Sequence, residues 1–433
     1  MNRVLDASLI SGPLWWVLLL AGPVGVCVLV LGRGRRWWLG VVPAALAVGL
    51  AVAVLVTLTV NVWWQPFPDP LPLLVPVWVG LFVAAVVLAL GRRAGVTRMA
   101  LALLIAVLVA ASGTAQVNEK FAAFPTVRDA LGLPLPGQIA FNRVPGPQRA
   151  PVTGTPGATL ASRWSPPPGM PTAGEVTTTA IPGVVSGFNA RDAWIYLPPA
   201  YLSTPRAQLP VLVMFGGQPG SPRDCFTAGR VVATMTAYAA AHRGLAPVVV
   251  EVDPLGSTLA NPLCVDSPLG NAFTYLSVDV PAWIRTHLQV DPDPAHWAVG
   301  GASFGGTCAL QLAVNAPSVY PTFLDFSGQE EPTLGGASRT LSAAFGGSAR
   351  AFTRVNPLDV LERKRFPATA GMIVVGRDDG PFLPQARRVA AAAREAGMTI
   401  RYLEVPGGHG WSVWANALPL AMPFLGQRVG ITS

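Results

Sequence analysis

Two hydrophobic patterns divide this chain. Up to residue 118 the apolar positions run together in four stretches without a charged side chain, 7–32, 37–68, 70–91 and 99–118. A helix needs about 20 apolar residues to cross a hydrocarbon core, and all four stretches are long enough. Membrane spans are therefore predicted near 13–31, 38–62, 71–90 and 99–117. A pattern repeated four times does not fit a cleaved signal peptide.

From 119 to 174 the pattern gives way to Pro, Gly, Thr and Ala, with runs such as Pro145-Gly146-Pro147 and Pro166-Pro167-Pro168. That composition predicts an extended spacer, with room for short ordered pieces such as 127–133. Beyond it, short β-branched runs alternate with helical ones. Strands are expected at 193–197, 211–215, 248–252, 297–300, 322–326, 372–375 and 400–405. Helices are expected at 229–242, 278–287, 305–314 and 383–396. The runs starting at Val211, Val248 and Met372 are continuously apolar, as strands covered on both faces are. Alternation of strand and helix implies a mostly parallel sheet flanked by helices. The division predicted is a helical membrane region at 1–118, a spacer at 119–174 and one α/β domain at 175–433.

Composition sharpens this. The 433 residues are 51% hydrophobic and only 12% charged, against about 25% charged in a typical soluble domain. Net charge is +8, but no Lys/Arg cluster interleaved with aromatics points to nucleic acid. Residues 1–120 hold three acidic side chains, Asp6, Asp69 and Glu119, and eight basic ones. Six of those fall in two loops: Arg33, Arg35 and Arg36, and Arg92, Arg93 and Arg98. Positive loops stay in the cytoplasm, which puts the N-terminus and everything after residue 118 outside. Trp15, Trp16, Trp37, Trp38, Trp63 and Trp64 lie near span ends, as interfacial aromatics do. No ionisable residue lies within the spans, so they read as an anchor rather than an ion path.

The candidate chemistry lies in the second pattern. Gly301-Ala302-Ser303-Phe304-Gly305 is a G-x-S-x-G between an expected strand and an expected helix. That is the setting in which a serine stands clear of a sheet on a sharp turn. A serine needs a base, and the base an orienting carboxylate. His409, in the loop Gly407-Gly408-His409-Gly410, is the histidine that follows Ser303; His242, His287 and His296 read as surface or capping residues. Either Asp378 or Asp379, after the strand ending near Val375, can supply the carboxylate. An oxyanion hole needs two backbone N–H donors. Phe304 supplies one, and Gly217 the other, with Gln218 as the alternative.

These residues resemble the esterase D branch of the α/β-hydrolases, which includes feruloyl and enterochelin esterases and the secreted mycolyltransferases (antigen 85 proteins). The resemblance spans about 175–428. It rests on Ile195-Tyr196-Leu197-Pro198-Pro199-Ala200-Tyr201, on Gly216-Gly217-Gln218, on Gly301–Gly305 and on Gly407-Gly408-His409. The segments 271–276 and 280–284 add to it. It implies an α/β-hydrolase fold, an acyl-enzyme mechanism, and neither metal nor organic cofactor. It also favours Asp379, three residues after Gly376, as the acid. Where the mycolyltransferases hold trehalose with an aspartate and an arginine, this chain has Phe215 and Gln218. Where they use a glutamate in the triad, it offers an aspartate. These departures argue against trehalose mycolyl transfer and leave ester chemistry in place.

Cys27 and Cys308 read as small buried apolar residues. In an oxidising compartment, Cys225 and Cys264 can form a disulfide. The combined expectation is a membrane-anchored serine esterase or acyltransferase acting outside the cell membrane on envelope lipid or glycan esters. A non-catalytic binding protein of the same fold is the alternative, but it has no need of Ser, Asp and His in that order.

Overall fold

The computed structural model describes residues 2–31, 34–67, 69–92, 95–154 and 157–433. Arg33 and Arg93 of the two basic loops, and the stretch ends Gly32 and Pro68, lie outside them. The chain divides into two compact units, Met1–Leu133 and Pro134–Ser433.

The first unit is built on four helices long and apolar enough to cross a membrane: α1 (Gly12–Val30), α2 (Trp37–Trp64), α3 (Leu74–Gly91) and α4 (Val96–Phe121). Apolar helices that meet in an apolar solvent would be held by close packing rather than water exclusion, which favours small residues at the contacts. A Cβ at Gly49 of α2 would stand 2.6 Å from the Gly80 carbonyl oxygen of α3, and one at Gly80 equally close to that of Gly49. Ser112 of α4 donates to the Leu19 carbonyl of α1 at 3.0 Å. The Arg92 guanidinium donates to the carbonyls of Leu29 and Leu31, and Trp37 Nε1 to that of Val30, satisfying the otherwise orphaned end of α1. Helix α4 runs past the expected end at 117, because Glu119 and Lys120 continue it in polar sequence.

The second unit is a nine-stranded sheet flanked by helices. Its strands are β1 (Gln138–Ala140), β2 (Glu175–Thr179), β3 (Ala193–Leu197), β4 (Val211–Phe215), β5 (Val248–Glu251), β6 (Trp297–Ala302), β7 (Thr322–Phe326), β8 (Ala370–Gly376) and β9 (Thr399–Val405). Their order is β1-β2-β3-β5-β4-β6-β7-β8-β9. β3 runs antiparallel to β2 and β5; every other pairing is parallel. Strands β4 to β8 are buried along their whole length, which explains their unbroken apolar runs. The helices are α5 (Val231–Ala241), α6 (Val280–His287), α7 (Phe304–Asn315), α8 (Ala337–Phe345), α9 (Ala349–Val355), α10 (Pro357–Arg363), α11 (Phe382–Glu395) and α12 (Trp411–Arg428). Helices α5 and α12 pack on each other; α7, α10 and α11 form another group.

Two expectations need correcting. The stretch 119–174 is not a spacer throughout: α4 continues into it, and β1 extends the sheet. Trp164 is buried, with its Nε1 donating to the Arg243 carbonyl at 2.8 Å, and Gln148 exchanges hydrogen bonds with Gln289. Pro and Gly exclude long elements, but a three-residue strand and one anchored tryptophan suffice to fix the chain. The second concerns the disulfide. Cys264 bonds to Cys308 across 5.5 Å between Cα atoms, not to Cys225. The loop carrying Cys264 lies against α7, where Gln311 Nε2 donates to the Leu263 carbonyl. Cys225 remains a buried free thiol.

Candidate active site

Parallel strands end together, and the loops leaving their carboxyl ends form the crevice where such sheets hold ligands. Four of those loops carry the residues singled out above: Gly216-Gly217 after β4, Ser303 after β6, Asp378-Asp379 after β8 and His409 after β9.

The turn from β6 into α7 is forced. Ser303 has φ 54° and ψ −118°, a region that side chains rarely adopt. The backbone closes tightly around it. A Cβ at Gly301 would lie 2.5 Å from the Gly305 carbonyl carbon and 2.6 Å from the Phe215 oxygen, and one at Gly305 would run into that same oxygen. The Ser303 N–H donates to the Phe326 carbonyl of β7 at 2.8 Å. The strained residue is thus held by its neighbours, as strain at a site must be.

The Ser303 hydroxyl donates to His409 Nε2 at 2.8 Å, and His409 Nδ1–H donates to Asp379 Oδ2 at 2.8 Å. The Asp379 side chain is fully buried, while that of His409 keeps a quarter of its surface exposed. The imidazole is gripped by Phe382, stacked at 3.8 Å between ring centroids, and by Trp414, edge-on at 4.9 Å. These two rings carry no signal in sequence, since an aromatic at the start of a helix reads as core. Asp378 is turned elsewhere. Its backbone N–H donates to the Gly407 carbonyl at 2.9 Å and its carboxylate accepts from the Gly407 N–H at 3.3 Å, so it ties down the histidine loop.

Gly217 lies against the serine, the position of a Cβ there being 3.5 Å from Ser303 Cβ. Among the described residues, the backbone N–H groups of Gly217 and Phe304 donate to no protein acceptor. Gln218 points its side chain away, donating from Nε2 to the Leu259 carbonyl at 2.9 Å. Around this loop is a set of groups that sequence reasoning missed. Arg191 forms a bidentate pair with the buried Asp253 and donates to the Gly220 carbonyl at 3.0 Å. Asp224 accepts from the Ser221 N–H and hydroxyl. Glu251, at the end of β5, is fully buried. Desolvation pushes its carboxyl well above the usual range. Asp325 of β7, beside Gly301, is likewise pushed up to about 7 by burial, against the Gly328 N–H that it accepts at 2.7 Å. A serine donating to an imidazole that donates to a buried carboxylate, with free N–H groups alongside, can carry out acyl transfer.

The model of the Esterase family, described as "Putative esterase", matches residues 189–425. An uncharacterized protein of Corynebacterium glutamicum is 42% identical over 252 residues, 57% of this chain and 59% of that protein. The match thus spans about three fifths of the length of that curated relative. Among solved structures, a ferulic acid esterase superposes with a TM-score of 0.53 at 19% identity, over 60% of this chain and 99% of that one. An S-formylglutathione hydrolase from Agrobacterium tumefaciens gives 0.51 at 17% identity, over 60% and 97%. At such identities the likeness is one of fold.

Proposed function

This chain belongs to the Esterase family, and from that premise we propose that it is a carboxylic-ester hydrolase or acyltransferase with Ser303, His409 and Asp379 as its catalytic triad and an oxyanion hole made by the N–H groups of Gly217 and Phe304. The observation that carries this reading is the unbroken line Ser303 Oγ–His409–Asp379, 2.8 Å at each step. His409 takes the hydroxyl proton as Ser303 Oγ bonds to the ester carbonyl carbon. The carbonyl electron pair moves onto oxygen, which accepts from the two N–H donors. Collapse breaks the bond to the alcohol, which leaves with the proton from His409. Water or a second alcohol then repeats the sequence in reverse and frees Ser303. Asp379 fixes the imidazole tautomer and stabilises its charged form. Phe382 and Trp414 keep the ring from turning.

The four apolar helices are read as membrane spans, with the loops bearing Arg35 and Arg36 and Arg92 and Arg98 in the cytoplasm and the esterase unit outside. The Cys264–Cys308 bond supports that side, since disulfides persist in oxidising compartments. Envelope lipid or glycan esters are the substrates proposed from that location. Turnover of p-nitrophenyl butyrate tests the chemistry: wild type hydrolyses it and Ser303→Ala does not. Equal rates in both would sink the assignment. Adding a glycan or lipid alcohol then separates the two fates of the acyl group, as transfer diverts product from the free acid.

A further inference from the structure

The carboxyl of Glu251 is a buried acid whose burial the triad leaves unexplained. It is fully buried, and neither oxygen has a hydrogen-bond partner of good geometry among the described residues. Its strand neighbours at that level are Met214 and Trp194, which offer no charge. Buried polar groups without partners are rare, and an apolar side chain of the same size would cost the fold less.

Besides Cys225, Glu251 lies close to the loop that carries Gly217. A Cβ built on Gly216 would lie 3.4 Å from Glu251 Oε1 and 3.3 Å from the Ser221 carbonyl oxygen. A side chain at Gly216 would therefore meet the carboxyl and its own loop together. The next residue is Gly217, against Ser303. The rest of the loop is held by Arg191 on the Gly220 carbonyl, by Asp224 on Ser221 and by the Gly220 N–H on the Thr258 carbonyl at 3.2 Å. None of these bonds reaches Gly216.

We propose that Glu251 is a positioning residue of the oxyanion loop: its carboxyl is the floor on which Gly216 rests, and it thereby sets where the Gly217 N–H points. This rests on reading Gly217 as an oxyanion donor. The charged and titratable groups facing Glu251 are Cys225, whose thiol and backbone N–H lie against it, and the carboxylates of Asp224 and Asp253, the latter neutralised by Arg191. Cys225 is pushed up by burial and then by Glu251, so it stays a thiol. Burial likewise raises the Glu251 carboxyl well above its usual range.

The test uses the full-length protein with p-nitrophenyl butyrate, after a fluorophosphonate probe has shown that wild-type Ser303 is reactive. A failure at that first step overturns the functional reading; the steps below overturn only this one. Glu251→Ala is expected to lower kcat about 10- to 100-fold with KM within about threefold, the pattern of a misaimed donor. Glu251→Gln, of the same shape, is expected to restore most of kcat. Gly216→Ala intrudes on the same contact from above. Its effect is expected to be at least threefold smaller in the Glu251→Ala background, where the floor has been removed. A folded Glu251→Ala protein with wild-type kcat, or a Glu251→Gln protein no more active than Glu251→Ala, overturns the proposal. So does strict additivity of the Gly216 and Glu251 effects.

Discussion

The two units are both rich in apolar residues but place them in opposite ways. In the helical unit large side chains such as Leu46, Leu50, Leu101 and Leu104 face outward, and glycine, alanine and serine stand at the closest contacts between helices, beside Leu29, Leu88 and Val109. In the esterase unit the sheet hides its apolar residues and also buries acids: Glu251, Asp253, Asp279, Asp325 and Asp379. Exposed apolar surface and buried polar groups are the informative departures from ordinary packing. Here each unit shows one of them. The first is what a lipid solvent asks for. The second marks where a protein gives up stability for chemistry, and four of those five acids lie at or just beyond the carboxyl ends of the strands or beside the serine turn.

The contrast is broken most severely at the triad. Ser303→Ala or His409→Ala is expected to lower kcat/KM by about 10³- to 10⁶-fold, and Asp379→Ala by about 10²- to 10⁴-fold. Asp378→Asn, which leaves the triad intact, is expected to cost less than about fivefold. If Asp378 instead proves the more damaging of the two, the acid has been assigned wrongly. Gly305→Ala comes next. Its Cβ meets the Phe215 carbonyl, a backbone atom that cannot step aside. A loss of about 1–3 kcal/mol in stability and of most activity is expected, read by thermal melting and ester hydrolysis.

Asp325 sharpens the comparison through pH. Its folded carboxyl titrates at about 7, against an ordinary value of 3.8. A raised acid binds its proton more tightly when folded. Its contribution is therefore fully present below the unfolded value, and is lost as pH rises towards about 7. Asp325→Asn is expected to gain stability relative to wild type across that window, with the gain levelling off above it. A constant difference from pH 4 to pH 8 would contradict the assignment. The smallest effect on catalysis is expected at Gly80→Leu. It forces α2 and α3 apart at the Gly49 carbonyl and lowers the melting temperature of the helical unit in detergent. Hydrolysis of a soluble ester should stay within about twofold, because the units are separate compact bodies.

The two units also differ in how openly the sequence announces them. Runs such as Val211–Phe215 and Ala370–Gly376 are legible because a strand covered on both faces must be apolar throughout. Strand β2 is not, because Glu175–Thr179 is polar and threonine-rich, and β1 is only three residues long. Helix α12 escapes notice because Pro419 and Pro423 interrupt its pattern, although its packing against α5 tolerates them. At the site, Ser303 and His409 stand out by motif and by order along the chain. The geometry settles which aspartate faces the imidazole, a matter of side-chain direction that spacing alone leaves open. Glu251 and Asp325 give no sign, since one acid in or at the end of an apolar run reads as a solvated strand residue. Their burial is a property of the assembled sheet.

The central claim is that Ser303 is an activated nucleophile. The most direct measurement is covalent labelling of the purified full-length protein by a fluorophosphonate probe, read by intact mass, for wild type beside Ser303→Ala and His409→Ala. The account predicts one adduct per wild-type chain and none on either variant. Folded wild-type protein that takes up no probe, or Ser303→Ala protein that labels as wild type does, would contradict it and leave a binding protein of the same fold as the better description.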